Sequence, residues 1–319
     1  MSSTNQTHIV IGAGATGIAT ANLLAEEGHD VKVITRSGSG PTHPSIELLA
    51  GNAGDPAFLA TASREATAIY NCANPPYDKW STEWPPLAQS ILHAAQENGA
   101  VLVTLSNLYG YRHTNPMRAT DPLDPPSAKG KVRADMWHEA RSAHEAGRVR
   151  VTEARASDFI GPGTGDNGHM GDRVVPRVLA GKSVSLLGQV DVAHSWTAID
   201  DVARTLVTLG RDQRAWGRAW HVPTDAHLTQ REVVDLMADV AGVDRVKVRA
   251  LPSLALTVGG LAVPMLRELK EVLYQFEQPF VIDAAETTAS FGLTATPVET
   301  TLARTIDSYR PASSAMSVN

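Results

Sequence analysis

The amino-acid sequence predicts an α/β fold with a parallel, doubly wound sheet, and two observations lead to that fold class. Short apolar runs rich in β-branched residues alternate along the chain with segments whose apolar residues recur at helical spacing. The chain has 319 residues, of which 43% are hydrophobic, and this is enough for one large core and an appended lobe. We therefore expect helices to cover both faces of a parallel sheet.

The first elements form a unit around a glycine-rich loop. A strand from His8 to Ile11 leads into Gly12-Ala13-Gly14-Ala15-Thr16-Gly17, a helical pattern follows, and Val31 to Ile34 is a second strand. This order of elements around GxGxxG is typical of a Rossmann dinucleotide-binding unit. The three glycines allow, in order, a tight turn, a close approach of the backbone to a pyrophosphate, and close packing of the helix on the strand. The free amides of the helix N-terminus then attract the anion.

The end of the second strand predicts which dinucleotide is bound. An NAD site usually has Asp or Glu at this point, which accepts hydrogen bonds from the ribose hydroxyls. This chain has Thr35-Arg36-Ser37 instead. A carboxylate would repel a 2′-phosphate, whereas a guanidinium and two hydroxyls can hold one through charge-assisted hydrogen bonds. We therefore predict NADP(H) rather than NAD(H), with Arg36 and Ser37 at the phosphate. The alternative is a solvated surface arginine.

Three more strand patterns place further residues at the cofactor. They run from Ile46 to Leu49, from Ala68 to Ala73 and from Val101 to Leu105. Ligands of a doubly wound sheet cross the carboxyl ends of its strands. The residues expected along the cofactor, besides Thr16 of the glycine loop, are Asn52 near the adenine, then Cys72, Ala73, Asn74, Thr104 and Ser106.

Three segments carry a resemblance to a known family. Thr104-Leu105-Ser106 is followed by Tyr109-Gly110, then by Arg155-Ala156-Ser157-Asp158-Phe159-Ile160-Gly161-Pro162-Gly163, and then by His194-Ser195-Trp196-Thr197-Ala198-Ile199-Asp200-Asp201-Val202-Ala203. In this order they resemble the extended short-chain dehydrogenase/reductases, the NAD-dependent epimerase/dehydratase group, over residues 8 to 310. The resemblance implies a Rossmann domain interleaved with a smaller C-terminal α/β substrate lobe, and a nicotinamide cofactor that stays near the bound substrate.

The same resemblance implies domain boundaries. We expect the Rossmann domain in residues 5–165 and about 188–212, the substrate lobe in about 166–187 and 213–310, and a flexible tail in 311–319. The lobe has no readable motif, so the sequence does not identify the substrate.

The chain departs from that family at two motifs. The family's loop spaces its glycines three and three apart, whereas this loop is GxGxxG. The family's catalytic Tyr-x-x-x-Lys is absent from the segment Ser127-Ala128-Lys129-Gly130-Lys131-Val132-Arg133-Ala134-Asp135. One register of this segment puts Lys131 on the family's lysine and Ser127 on its tyrosine, and a shift of two puts Arg133 and Lys129 there. Neither register supplies a tyrosine.

The resemblance implies three catalytic roles, of which two can be filled. In the family, serine or threonine holds the carbonyl, tyrosine exchanges its proton, and lysine lowers the pKa of the tyrosine and holds the nicotinamide ribose. Ser106 matches the first role, and Lys131 or Arg133 can hold the ribose. Tyr109 is the best candidate for the proton donor, because it leaves the same strand end as Ser106 and a nearby Lys⁺ could depress its pKa. The alternative for Tyr109 is a structural role.

Other side chains are candidates for the substrate pocket. Tyr111, Asp158 and His194 are further polar candidates, against the alternative of satisfied structural groups. Tyr77, Trp80 and Trp84 lie among four prolines in an aromatic, rigid segment. That segment can form the wall of an apolar pocket or merely cover an edge of the sheet.

Composition argues against several classes of protein. The formal net charge of −6 and a pI near 6.0 give no electrostatic footprint for nucleic acid. The single cysteine, Cys72, forms no intramolecular disulfide and fits a reducing cytoplasm.

The apolar stretch from Leu251 to Leu266 is interrupted and short of the roughly 20 residues that span a bilayer. The histidines lack a metal-binding spacing. We expect a cytoplasmic protein without metal, acting on a small molecule, with a homodimer as a candidate assembly.

Three functions remain open. The first is an NADP(H)-dependent oxidoreductase of an atypical extended short-chain type, acting on a small organic carbonyl or hydroxyl compound. The second is a cofactor-sensing protein without catalysis, which the missing tyrosine supports. The third keeps the cofactor for an epimerisation or dehydration, or as a scaffold. Ser106 and the basic segment favour an enzyme.

Overall fold

The computed structural model describes residues 5–165, 168–251 and 270–310. The strands in these residues are β1 (Thr7–Ile11), β2 (Asp30–Thr35), β3 (Ile46–Ala50), β4 (Ala66–Asn71), β5 (Val101–Ser106), β6 (Met117–Arg118), β7 (Arg150–Arg155), β8 (Asp158–Ile160), β9 (Val184–Leu187), β10 (Trp196–Ala198), β11 (Ala219–His221), β12 (Val248–Leu251) and β13 (Ile282–Asp283). The helices are α1 (Ala15–Glu26), α2 (Pro56–Ala62), α3 (Trp80–Asn98), α4 (Ala128–Glu145), α5 (Val175–Leu179), α6 (Ile199–Arg211), α7 (Gln230–Ala241), α8 (Ala285–Phe291) and α9 (Val298–Tyr309).

The central layer is a seven-stranded sheet in the order β11-β7-β5-β4-β1-β2-β3. Every neighbouring pair in it is parallel. The strand order reverses between β1 and β4, and ligands of open α/β sheets bind at such a switch point. The predicted doubly wound α/β fold is therefore confirmed.

The apolar strands owe their composition to burial on both faces. Side chains alternate between the two faces of a strand, so Val10 of β1 lies in one core while Ile9 and Ile11 lie in the other. The core containing Val10 includes residues of α1 and α6, and the opposite core includes residues of α2, α3 and α4. Because helices cover both faces, the strands read as continuous apolar runs.

A third core lies apart from the central sheet. It joins α5, α7 and α9 to β9, through residues such as Val178, Val233 and Leu302. β9 pairs in parallel with β12. Thr229 starts α7 with a capping box, in which the Thr229 hydroxyl accepts from the Glu232 amide and the Glu232 carboxylate accepts from the Thr229 amide. The domain boundaries given above remain a prediction.

Two segments with sequence-based expectations lie outside the described residues. They are the apolar stretch after Leu251 and the tail from residue 311. Among the helices that the structure describes, none combines the length and the apolar character that crossing a bilayer requires. The described ranges also contain no group of three or more His, Cys, Asp or Glu side chains placed to hold a metal ion.

Candidate active site

The glycine loop forms a cradle at the N-terminus of α1. Gly12 has φ +95°, and a Cβ on it would lie 2.9 Å from the carbonyl oxygen of Cys72. A Cβ on Gly17 would collide with the carbonyl oxygen of Gly12. At Gly14, by contrast, a Cβ would meet no atom within 4 Å. Gly14 is also the N-cap of α1 without a side-chain hydrogen bond. The amides of the first turn thus face open space, which fits a pyrophosphate.

The carboxyl end of β2 carries the residues predicted at a 2′-phosphate. Arg36 is exposed. The Thr35 hydroxyl donates to the carbonyl oxygen of Ser39 at 2.9 Å, and the hydroxyls of Ser37 and Ser39 lie 2.8 Å apart. Asn52, in the loop after β3, is exposed and its side-chain oxygen accepts from the Gly54 amide. Arg36, Ser37 and Asn52 are thus exposed residues that follow the carboxyl ends of β2 and β3, and their place at a bound adenosine ribose remains a prediction.

The ends of β4 and β5 line the switch point. Burial raises the pKa of the Cys72 thiol to about 12, although hydrogen bonds with Thr20 and Thr16 lower it. The thiol is therefore neutral and not a nucleophile at physiological pH. Ala73 is half-buried and Asn74 exposed. Thr104 lines a small cavity between the sheet and helices α3 and α4.

Helix α4 adopts the register that places Lys129 and Arg133 on its inner face. Both are buried, at 4% and 7% exposure. The side chain of Lys131 is 70% exposed and pairs with Asp135 on the solvent side. The register that would bring Lys131 to the cofactor is therefore wrong. Its cause is Gly130, where a Cβ would collide with the carbonyl oxygen of Tyr109, so this side of α4 packs on the end of β5.

Arg133 lies in an aromatic slot beneath the end of β5. Its guanidinium carbon is 4.7 Å from the ring centroid of Trp80 and 4.3 Å from that of Trp84. Its Nη1 donates to the carbonyl oxygen of Leu105 over 3.5 Å, and its Nε has no partner among the described residues. Burial lowers the pKa of Arg133 to about 10, so the side chain stays charged. A buried cation with an unsatisfied donor fits a ligand bearing hydroxyl or phosphate oxygens.

Two phenols meet at the same edge of the sheet. The Oη atoms of Tyr77 and Tyr109 lie 2.6 Å apart. Burial raises the pKa of Tyr77 to about 12 and raises that of Tyr109 well above its usual value. The ring of Tyr77 packs against Trp80, with 4.9 Å between centroids, and Trp80 Nε1 donates to the carbonyl oxygen of Pro75. The aromatic segment thus faces the predicted site as well as covering the sheet.

Lys129 belongs to a buried ion pair at this place. Its Nζ donates to Glu271 Oε2 at 2.6 Å, and its backbone amide donates to Glu271 Oε1 at 3.1 Å. The ammonium also lies 5.6 Å from the ring centroid of Tyr77. Burial raises the pKa of the Glu271 carboxyl, but the hydrogen bonds and the charge of Lys129 outweigh it, and the pKa falls below its usual value.

Asp158 and His194 form a second pair beside the phenols. His194 Nε2 donates to Asp158 Oδ2 at 2.8 Å, and the ring stacks on Phe276 and Phe280. Burial raises the pKa of Asp158, but the hydrogen bond and charge of His194 outweigh it, and the pKa falls below its usual value. The charge of Asp158 in turn raises the pKa of Tyr109. Asp158 is therefore ionised near neutral pH.

Tyr111 lies in a different network, within the protein interior. Arg155 Nη1 donates to Tyr111 Oη at 2.5 Å, and Arg155 Nε donates to Glu153 at 2.6 Å. His221 Nδ1 lies 3.1 Å from the carbonyl oxygen of Asp283, so Nδ1 carries the proton and Nε2 accepts from Tyr111 at 3.0 Å. Tyr111 is 1% exposed. The structure does not bring it to the pocket, so the expectation of a substrate contact is wrong.

Sequence reasoning missed two residues of the site, Glu271 and Gln275. Glu271 pairs with Lys129 across 142 positions of sequence, and the side chain of Gln275 hydrogen-bonds Tyr109. They lie in a part of the chain without a motif. Only the buried lysine, which requires an acidic partner, signals that such a residue exists.

The comparisons with known proteins support the fold described above. A family model described as the NAD dependent epimerase/dehydratase family matches residues 8–222. Among solved structures, WbmH of Bordetella bronchiseptica in complex with NAD+ is similar at 18% identity and a TM-score of 0.74, covering 97% of this chain and 99% of that one.

Two further structures have the same fold. A UDP-glucose 4-epimerase of Thermotoga maritima with UDP-glucose matches at 15% identity and a TM-score of 0.78, over 96% of this chain and 99% of its own. The dTDP-glucose 4,6-dehydratase DesIV of Streptomyces venezuelae, with NAD bound, matches at 20% identity and a TM-score of 0.73, over 96% and 97%. Identities this low show a shared fold, and nothing finer.

Proposed function

Because the chain belongs to the NAD dependent epimerase/dehydratase family, we propose that it is an NADP(H)-dependent oxidoreductase that acts on a small organic carbonyl or hydroxyl compound. The proposal rests mainly on one observation, which is that three structural features lie together at the carboxyl ends of the parallel strands. They are an open glycine cradle, a buried guanidinium with an unsatisfied donor, and a pair of neutral phenols.

The residues present fit a nicotinamide dinucleotide. The amides after Gly14 would hold the pyrophosphate, and Arg36 with Ser37 would hold the 2′-phosphate. Arg133 would hold the ribose next to the nicotinamide, since its Nε has no partner among the described residues. When bound, this cofactor gives or takes a hydride.

The chain's own groups would bind the substrate and handle a proton. Ser106 ends β5 and lies 5% exposed at the switch point, where its hydroxyl would hold the substrate oxygen. Tyr77 and Trp80 would form an aromatic wall. The carboxylate of Asp158 favours a neutral or hydrogen-bond-donating substrate over an anionic one.

A second candidate function is epimerisation or dehydration with transient oxidation. The family match itself favours it. It uses the same cofactor and the same phenols, but returns the hydride to the product, so that no net cofactor is consumed.

Stoichiometry separates the two candidates when the enzyme is loaded with NADPH in one reaction and with NADP+ or NAD+ in a parallel one, because transient oxidation begins with hydride transfer to the oxidised cofactor. Cofactor absorbance is followed while a panel of aldehydes and ketones is added in excess to the first reaction and a panel of hydroxyl compounds to the second, and products are quantified by mass spectrometry. One NADPH oxidised for each alcohol formed supports the oxidoreductase. Conversion of a substrate without net loss of NADPH or NADP+ supports the second candidate and contradicts the first. Ser106→Ala should slow either reaction at unchanged NADPH affinity.

A further inference from the structure

We propose that Tyr77, rather than Tyr109, is the residue that exchanges a proton with the substrate oxygen, and that Tyr109 is a positioning residue behind it. The inference rests on the proposed function and names the acid that its reaction needs. Tyr77 comes from the connection between β4 and α3, and Tyr109 from the loop after β5.

Access to solvent distinguishes the two phenols. Tyr77 is half-buried, whereas Tyr109 is 6% exposed and lies beneath the α4 surface at Gly130. The hydroxyl of Tyr109 is hydrogen-bonded by both Tyr77 and the buried side chain of Gln275. Of the two residues, Tyr77 is therefore the one with surface that a substrate from the solvent side can contact.

The hydrogen bond between the two phenols bears on which proton reaches a ligand. Either hydroxyl of the pair can be the donor. The proposal takes Tyr109 Oη–H as the donor to Tyr77 Oη, because the Tyr77 proton is then directed away from Tyr109 and is available to a ligand.

Charged groups of both signs surround Tyr77. Burial is the largest influence on the Tyr77 pKa and raises it, Asp158 and Glu271 raise it further, and Arg133 lowers it. The Lys129 ammonium lies over the ring at 5.6 Å. The net result is a phenol that is protonated at physiological pH, with two cations that favour its phenolate and two carboxylates that oppose it.

The proposed step balances in atoms and charge. When bound, the reduced cofactor would supply the hydride for the new C–H bond at the carbonyl carbon, and the carbonyl π pair would move to oxygen. The Tyr77 O–H bond breaks as its proton joins that oxygen, which gives an alcohol and a phenolate. Transfer is favourable, because an alkoxide is a much stronger base than a phenolate with a conjugate-acid pKa of about 12. One proton from solvent, taken directly or relayed through Tyr109, restores the phenol.

Other acids near the site are less suitable. Asp158 is ionised, since its pKa lies below the usual value. The hydroxyl of Tyr111 already donates to His221 in the interior. Tyr274 is also a half-buried phenol, and its charge is coupled to that of Tyr77. Its hydroxyl is buried without a hydrogen-bond partner among the described residues, whereas that of Tyr77 is paired with Tyr109.

The first arm of the test is single-turnover oxidation of bound NADPH by benzaldehyde, cyclohexanone and glyceraldehyde. Tyr77→Phe should lower the rate by about 100-fold or more, with NADPH affinity within twofold, and Tyr109→Phe by roughly tenfold. Tyr70→Phe is the matched control, because its buried hydroxyl has no hydrogen-bond partner among the described residues and lies against Gly210. A Tyr77→Phe rate within threefold of the wild-type rate overturns this inference and leaves the proposed function standing. No turnover by wild type with any of the three counts against the proposed function.

The second arm needs no substrate. Tyrosines labelled with ¹³C at Cζ are followed by NMR as pH rises, and the two Phe variants assign the resonances. Tyr77 should ionise at lower pH than Tyr109, and Tyr109→Phe should move the Tyr77 ionisation to higher pH, because the bond that stabilises its phenolate is lost. Ionisation of Tyr109 before Tyr77 overturns the inference whether or not turnover is seen.

Discussion

The guanidinium carbon of Arg133 lies 4.3 Å from the centroid of the Trp84 ring. Trp84 is fully buried in α3 and Arg133 is buried in α4, so two helices on one face of the sheet fix the position of a single cation. Cation–π attraction of a desolvated pair is worth about 2 kcal/mol, yet the Nε atom still lacks a partner among the described residues. Under the proposed function, this charge is placed for a ligand more than for stability.

Replacement of Arg133 by methionine should therefore separate stability from binding. Methionine keeps the contact with the tryptophan rings and removes the cost of burying a charge. We expect the free energy of unfolding in urea to change by no more than about 1 kcal/mol, while NADPH affinity falls roughly tenfold. Lys131→Met on the exposed face of α4 is the control and should change neither quantity. Marked destabilisation with unchanged NADPH affinity would show that Arg133 is structural.

Alanine at Gly14 and at Gly17 should fail in different ways. Gly14 has φ −74° and open space where a Cβ would stand, so Gly14→Ala should fold with a melting temperature close to wild type. The methyl group would occupy the pyrophosphate position, so NADPH affinity should fall more than tenfold in calorimetry. Gly17→Ala would collide with the Gly12 carbonyl and should cost about 3 kcal/mol of stability. A Gly14→Ala variant with full NADPH affinity would contradict the placement of the cradle.

Acid should destabilise the protein partly through His8, near the N-terminal start of the central strand β1. The ring is 1% exposed, lies 4.9 Å from the ring of His29, and has no hydrogen-bond partner among the described residues. Burial, with the charges of His29 and Arg211, lowers the pKa of His8 from 6.5 to about 3. Between these values the unfolded chain binds a proton that the folded chain does not. The stabilisation is complete above pH 6.5 and falls as pH drops, by about 1.4 kcal/mol for each unit.

Urea unfolding between pH 4.5 and pH 8 measures this effect. His8→Phe keeps a ring in the core and removes the titrating group, so its free energy of unfolding should depend less steeply on pH below 6.5. His138→Phe, at an exposed site of α4, should keep the wild-type slope. Parallel slopes for wild type and His8→Phe would be incompatible with the assignment to His8.

The half of the site around the glycine loop could be predicted because its signals are local. Gly12, Gly14 and Gly17 lie close together in the sequence, and Arg36 directly follows β2. The register of α4 could not be chosen, because Lys129 with Arg133 and Lys131 with Asp135 are both spaced by four residues. The packing of Gly130 on the Tyr109 carbonyl decides it, and that contact is not encoded in a pattern.

The other half depends on distant partners. Tyr77 and Tyr109 are 32 residues apart, and Lys129 and Glu271 are 142 apart. Sequence reasoning identified Tyr109 from its strand end and Tyr77 from the aromatic segment among the prolines, but could not predict that their hydroxyls meet. Pairing of this kind follows from tertiary packing, which composition and periodicity do not specify.

The central claim is that the open cradle and Arg36 together hold NADP(H), and calorimetric titration of the wild-type protein with NADPH and NADH tests it most directly. We expect NADPH to bind at least tenfold more tightly, and Arg36→Ala to remove most of that preference while leaving NADH affinity unchanged. Arg249→Ala, an exposed arginine of β12, should behave as wild type. Tighter binding of NADH, or an NADPH affinity unaffected by Arg36→Ala, would contradict the account.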